Sequence, residues 1–367
     1  MRLLFVSHVT PALTGPPAAM RAGALLQALA AQHEVTLLLA PRTGEPLAFV
    51  PEGLAARCSR IVWPGGGEPL EASEPFDIIH VAGLEALTAA APWLERSPRR
   101  WLDLAPLPSR RARRLARLAR EHGRLEDADR HLSAEADTRL AEAAAMAAFT
   151  DVLVTWDGDR AALAAREAGP ARVHVLSHTL PPPEVSLFPP PTRGDFTLLY
   201  TGDLAVEEHV DALQHCCTHI LPRVQAGAHR PARLRIVGEG AGPAVQRLAG
   251  QAGVELIGAA PDIEAVFRDA HVVVAPLRAG AGQHLPVLEG LASGRPVVLS
   301  PLAAEGLALE HAVHATLADG DAPFVTATLR LLHDPALAAR VAASGRAYVA
   351  AQHAPAQLAA ALAGLVE

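Results

Sequence analysis

Residues 271–307 read HVVVAPLRAGAGQHLPVLEGLASGRPVVLSPLAAEGL, and the order of residue types in this stretch decides the fold. It opens with an apolar run, 271–275, continuous rather than alternating, as a strand buried on both faces of a parallel sheet requires. A loop follows over 276–284, where Gly280, Ala281 and Gly282 allow a backbone to approach a ligand without a bulky side chain between. Pro286 then sits where a first helical turn tolerates proline, Leu288, Leu291 and Ala292 supply a buried stripe, and Gly294 stops the helix. Arg295 and Pro296 lead into a second buried strand at 297–300. Strand, glycine loop, helix and strand make a βαβ unit. Its loop lies at the carboxyl edge of the sheet, where open α/β sheets bind ligands.

The same alternation recurs on both sides of this unit. Residues 3–6 read as a strand, 8–17 as a Pro/Gly-rich loop containing Gly15, 18–32 as a helix and 35–39 as the next strand. Strands are also expected at 61–63, 78–81, 99–104, 151–155 and 173–176. After a proline-rich stretch at 181–191, stiff enough for a hinge, strands recur at 196–200, 234–237 and 254–257. Two of them run straight into glycine turns, at Gly202 and at Gly238. Two Ala-rich helices close the chain after Pro335. At 367 residues the chain exceeds the size at which one core stops growing. The expected architecture is therefore α/β with two Rossmann-like domains, 1–187 and 188–350, and a segment 351–367 returning to the first.

The quoted stretch also carries a resemblance. Pro276, Leu277 and Arg278 with Gly280 and Gly282, then Val287, Leu288 and Glu289, then Gly294, Pro296 and Val297, then Glu305, Gly306 and Leu307, resemble the nucleotide-sugar motif of the family 4 retaining glycosyltransferases. That resemblance implies the GT-B fold: two facing Rossmann-like domains, an interdomain cleft, and a C-terminal helix crossing back to the first domain. It implies a nucleotide-diphosphate sugar as co-substrate, with no further cofactor and no metal. The acceptor, a glycan, lipid or small molecule, stays open, as do the base and the sugar.

Residue by residue, the resemblance assigns the donor side to Gly202, Gly238, Arg278, Gly280, Gly282, Gln283, His284, Leu285 and Glu289. Glu289 would accept hydrogen bonds from ribose hydroxyls; its other reading is a helix glutamate favoured by the dipole. In the first domain Gly15 would face the donor phosphates. Asp103, at the end of its strand, would lie close to the transferred sugar or else cap a loop. His80, in the sequence FDIIHV, would lie near the acceptor at the edge of the sheet or else pack or cap locally. The expected pattern is broken in four places. Ala281 stands where a sugar-binding glutamate belongs, Pro286 and Asp203 where phosphate-binding lysine and arginine belong, and Pro106 where a second acid follows Asp103. Each lost charge-assisted phosphate contact costs about 1.5 to 3 kcal/mol. A working transferase is the leading reading, and a catalytically degenerate GT-B protein serving as partner or scaffold is the alternative.

Composition narrows the partners. Half of the residues are hydrophobic and the net charge is −7, so neither disorder nor bulk nucleic-acid binding is expected. All 32 cationic side chains are arginine, because the chain contains no lysine. Between Arg96 and Arg124 there are 10 arginines against 2 acids, Asp103 and Glu121. Arg110, Arg113, Arg117, Arg120 and Arg124 recur at helical spacing opposite Ala112, Leu115, Leu118 and Ala119. Such a helix can sit on an anionic membrane surface or pair with the acidic stretch 126–142. Three cysteines without framework spacing, a polar-interrupted N-terminus and no unbroken apolar run of about eighteen residues point to a cytoplasmic protein, peripheral at the inner membrane face if the arginine helix docks there.

Overall fold

The computed structural model describes every residue except 42–48, 65, 67–69, 167–168, 182–190, 192, 261 and 367. Most of the expected hinge, 182–190, lies outside the described residues. Contacts divide the chain into two compact units. The first comprises Met1–Ala112, Arg130–Thr179 and Pro355–Glu367, the second Arg113–Asp129 and Leu180–Ala354.

The first unit is built on a parallel seven-stranded sheet of order β3-β2-β1-β4-β5-β6-β7. Its strands are β1 (Arg2–Ser7), β2 (Glu34–Leu39), β3 (Arg60–Val62), β4 (Ile78–Ala82), β5 (Arg99–Asp103), β6 (Asp151–Val154) and β7 (Arg172–Val175). Successive side chains of a strand point to opposite faces, and β1 supplies both cores. Leu3 and Phe5 join Leu25, Leu26 and Leu29 of helix α1 (Pro17–Ala30) on one face, whereas Leu4 and Val6 join Ile79, Val81 and Val152 on the other. Helix α2 (Pro108–Glu121) follows β5, and α3 (Leu125–Ala148) leads into β6.

The second unit repeats the plan with six parallel strands in the order β10-β9-β8-β11-β12-β13. They are β8 (Phe196–Thr201), β9 (Ala232–Val237), β10 (Val254–Gly258), β11 (Val272–Ala275), β12 (Val297–Leu299) and β13 (Thr316–Leu317). In both sheets strand order reverses beside the first strand, between β1 and β4 and between β8 and β11. This is the switch point at which doubly wound sheets open a crevice at their carboxyl edge.

The quoted stretch folds as read: β11, the glycine loop, helix α5 (Leu285–Ala292) and β12. Residues 207–227 form α4 (Glu207–His215), a π-helical turn Cys216–Ile220 and a short helix Leu221–Gly227. Pro222 cannot donate into an α-helical ladder, and the wider turn precedes it. The stretch 113–129 groups with the second unit, because Leu115 and Leu118 bury against Ala279.

The chain ends in α6 (Asp321–His333), α7 (Pro335–Gln352) and α8 (Pro355–Val366). By length and composition alone, Pro335–Val366 could cross a membrane, at a mean hydropathy of 1.2, although polar residues interrupt its apolar run. The stretch is two helices, each with an apolar stripe already committed. Leu337 and Val341 of α7 are buried where that helix packs on α5, and Leu358 and Leu362 of α8 enter the core beside α1. The returning C-terminal helix is thus present from Pro355.

Candidate donor and acceptor sites

At the carboxyl edge of the second unit three glycine turns come together. Gly238 has φ +157°, and a Cβ there would lie 1.8 Å from the carbonyl oxygen of Gly202. Gly202 in turn lies under His209, whose Nδ1 would meet a Cβ at 2.4 Å and is 2.7 Å from the Tyr200 hydroxyl. These two backbones can approach each other only as glycines. Asp203, standing where an arginine is expected, accepts the Ala205 amide at 3.0 Å and so closes its own turn.

In the loop after β11, Gly280 and Gly282 have φ of +114° and +71°. The buried Gln283 donates to the Gly306 carbonyl at 2.7 Å. His284 precedes α5 with its ring against Gly280; its Nε2 is buried without a partner, and burial lowers its pKa to about 4. The imidazole is neutral at pH 7. Leu285 is buried and anchors the first turn of α5. The Val287 and Leu288 amides of that turn donate to the His284 carbonyl at 3.0 and 3.5 Å, so the Leu285 amide and the helix dipole are what the helix start offers an anion. Pro286 removes one amide from the set.

Arg278, the expected loop cation, is already engaged. Its Nε and Nη2 donate to the two Asp211 oxygens at 3.0 and 2.6 Å, and Nη2 lies 2.9 Å from His122 Nε2. Asp211 is buried, so much of the guanidinium charge is matched inside the protein. Ala281 is also buried and presents only a methyl group where a sugar-binding carboxylate is expected. Glu289 lies one turn into α5, partly buried, and burial pushes its pKa up to about 7. A carboxyl that titrates near neutrality can accept hydroxyl hydrogen bonds as the anion or donate as the acid.

The first unit uses its polar residues differently. Asp103 ends β5 and is buried in a fork with Arg21 of α1: Nε to Oδ2 at 2.8 Å and Nη2 to Oδ1 at 2.8 Å. The third arm, Nη1, donates to the Leu176 carbonyl at 2.8 Å. His80 is fully buried in β4 and stacks on Phe5 with ring centroids 4.5 Å apart. Neither of its nitrogens has a partner, and burial holds its pKa at about 4. It is a neutral ring within the sheet. Gly15, at φ +103°, lies exposed in the loop after β1, with nothing within 4 Å of a Cβ. Among the described residues, no three His, Cys, Asp or Glu side chains gather as a metal site.

Two residues not anticipated as a pair tie down the loop after β11. Arg114 of α2 forks onto Glu305 and also reaches the Gly280 carbonyl. A separation of 191 residues hides this pair from any local reading. The only local hint was the helical spacing of the arginines. Of these, Arg110 binds the Gly158 carbonyl and Asp159, Arg124 reaches Asp127 and Glu207, and Arg113, Arg117 and Arg120 are exposed.

Residues 195–334 match the family model of the glycosyl transferases group 1. Among curated proteins, none is significantly similar in sequence. Solved structures share the fold over the whole chain. A sucrose-phosphate synthase from Thermosynechococcus elongatus superposes with a TM-score of 0.75 at 17% identity, covering 100% of this chain and 98% of its own. HepE of Anabaena in complex with UDP and glucose gives 0.69 at 12%, covering 100% and 99%. The lipopolysaccharide outer core galactosyltransferase WaaB gives 0.63 at 10%, with the same coverage. The chain thus has the GT-B fold, and over residues 195–334 it is similar to the glycosyl transferases group 1.

Proposed function

We propose that this protein transfers a sugar from a nucleotide-diphosphate donor to an acceptor, with retention and without a metal. The observation that carries the reading is the cluster of glycine turns at Gly202, Gly238 and Gly280 to Gly282, set at the switch point of the second sheet beside the start of α5. Backbone amides and the helix dipole would meet the diphosphate, and Glu289 would meet the ribose. HepE was solved with UDP-glucose and with UDP, which makes a uridine nucleotide the first donor to try.

The test is titration of UDP, GDP and ADP and their sugars by calorimetry, with thermal stability as a second readout. Binding that is lost in Glu289→Ala upholds the reading. If no nucleotide stabilises the protein at millimolar concentration, the reading is withdrawn. A non-catalytic GT-B partner is the second reading, favoured by the engagement of Arg278 with Asp211 and of Asp103 with Arg21. We place the protein in the cytoplasm. The exposed Arg113, Arg117 and Arg120 of α2 are its proposed contact with an anionic membrane face. Sedimentation with anionic vesicles, before and after replacing all three with glutamine, decides that contact: unchanged pelleting removes it.

A further inference from the structure

The donor loop of the second unit is held by a guanidinium from outside the segment that matches the family. Arg114 lies on α2, within the stretch Arg113–Asp129. Its Nη1 and Nη2 donate to Glu305 Oε2 and Oε1, each at 2.6 Å, and Nη1 also donates to the Gly280 carbonyl at 3.0 Å. Glu305 Oε2 accepts the Gly282 amide at 3.2 Å. The neighbouring carbonyl, Gly306 O, accepts Gln283 Nε2. Both left-handed glycines of the loop are therefore tied to a single ion pair, one through its carbonyl and one through its amide. Leu115 and Leu118, packed on Ala279, seat the helix that delivers the arginine.

The ties matter because glycine loses more conformational freedom on ordering than any other residue. Gly280 and Gly282, five and three positions ahead of α5, would otherwise sample many conformations, and few of those would present the start of α5 to one anion. A loop ordered beforehand spares that entropy on binding. The expected phosphate cations are missing at Asp203 and Pro286, so the amides carry more of the task.

We infer that Arg114 and Glu305 are a positioning pair for the donor loop. They fix Gly280 and Gly282 in the conformation that leaves the start of α5 open to a diphosphate. The ligand in this statement rests on the nucleotide-sugar reading; the hold on the loop does not. Arg114 acts through the backbone and the Glu305 carboxylate. A lysine cannot replace it, because a point charge does not hold two carboxylate oxygens and a carbonyl in one plane.

The experiment compares the full chain with Arg114→Lys, Arg114→Gln, Glu305→Gln and the Arg114→Gln/Glu305→Gln double variant. Hydrogen exchange over residues 276–290 is followed by mass spectrometry, and UDP is titrated by calorimetry. Exchange is expected to accelerate about tenfold in every variant, confined to the loop and the first turn of α5, with Arg114→Lys no better than Arg114→Gln. UDP affinity is expected to fall about tenfold in each single variant and no further in the double, because the pair acts as one unit. If Arg114→Gln is insoluble, Glu305→Gln carries the same comparison. Unchanged loop exchange overturns the inference. So does exchange that rises evenly across the second unit, the mark of ordinary packing, and so do losses in UDP affinity that add. If the wild type binds no nucleotide while exchange loosens only in the loop, the hold on the loop is upheld and the donor assignment fails.

Discussion

The two units share one topology and use the same edge in opposite ways. In the first, the polar groups beside the switch point are folded inward: Asp103 and Arg21 are a buried fork, and the neutral His80 is stacked against Phe5. In the second, the edge is made of backbone. Gly202, Gly238, Gly280 and Gly282 bring main chain close to main chain, and the ion pairs that surround them, Arg114 with Glu305 and Arg278 with Asp211, keep partial access to water. A shared sheet plan does not fix where chemistry resides. Side chains consumed in holding a crossover together are not available at its mouth, whereas glycine turns keep bare backbone there.

The largest effect expected from breaking this contrast is in the second unit. Gly238→Ala puts a methyl group 1.8 Å from the Gly202 carbonyl oxygen, and backbone must move to admit it. A loss of about 4 kcal/mol is expected in urea denaturation; a loss under about 1 kcal/mol would show that the two turns are not in contact. In the first unit, Asp103→Asn leaves the Arg21 guanidinium buried without its counter-charge, at a cost of about 3 kcal/mol. The double replacement Arg21→Met/Asp103→Leu should recover most of that loss. If it does not, the fork has a role beyond balancing its own charge.

Glu289 sharpens the comparison through pH. Its folded pKa, about 7, lies above the ordinary 4.5, so between those values the folded state holds more protons than the unfolded. Stability from this group therefore falls as pH rises through that window and is constant below it. Glu289→Gln should gain about 1 to 2 kcal/mol on wild type at pH 8 compared with pH 4, after discounting for partial exposure. A difference independent of pH would place the carboxyl in water. The smallest effect belongs to Gly15→Ala, about 1 kcal/mol: its φ is strained for alanine, but the space is empty. Its gap from Gly238→Ala measures how differently the two edges are built.

Much of this fold is legible in the chain. Strands such as 3–6 and 196–200 are buried on both faces and cannot disguise themselves as alternating strands, and the glycine loop between β11 and α5 is marked by its own residues. The π-helical turn at 216–220 was not legible, because a proline at 222 tells where a helix is disturbed but not how the ladder rearranges. The site was legible only as a set of turns. Which charges face one another is a long-range matter, and neither Asp103 with Arg21 nor Arg278 with Asp211 shows any local pairing signal.

Sequence by itself determined the two parallel sheets, the glycine turns at their carboxyl edges and the terminal helices, because apolar runs, glycine and proline act through the conformations of their own few residues. Only the tertiary structure decided that 113–129 belongs with the second unit, that Arg114 and Glu305 meet at the loop after β11, and that His80 and Asp103 lie inside. Those outcomes depend on which side chains meet after folding. Burial and pairing energies between residues far apart in the chain settle them, and no local pattern encodes those energies.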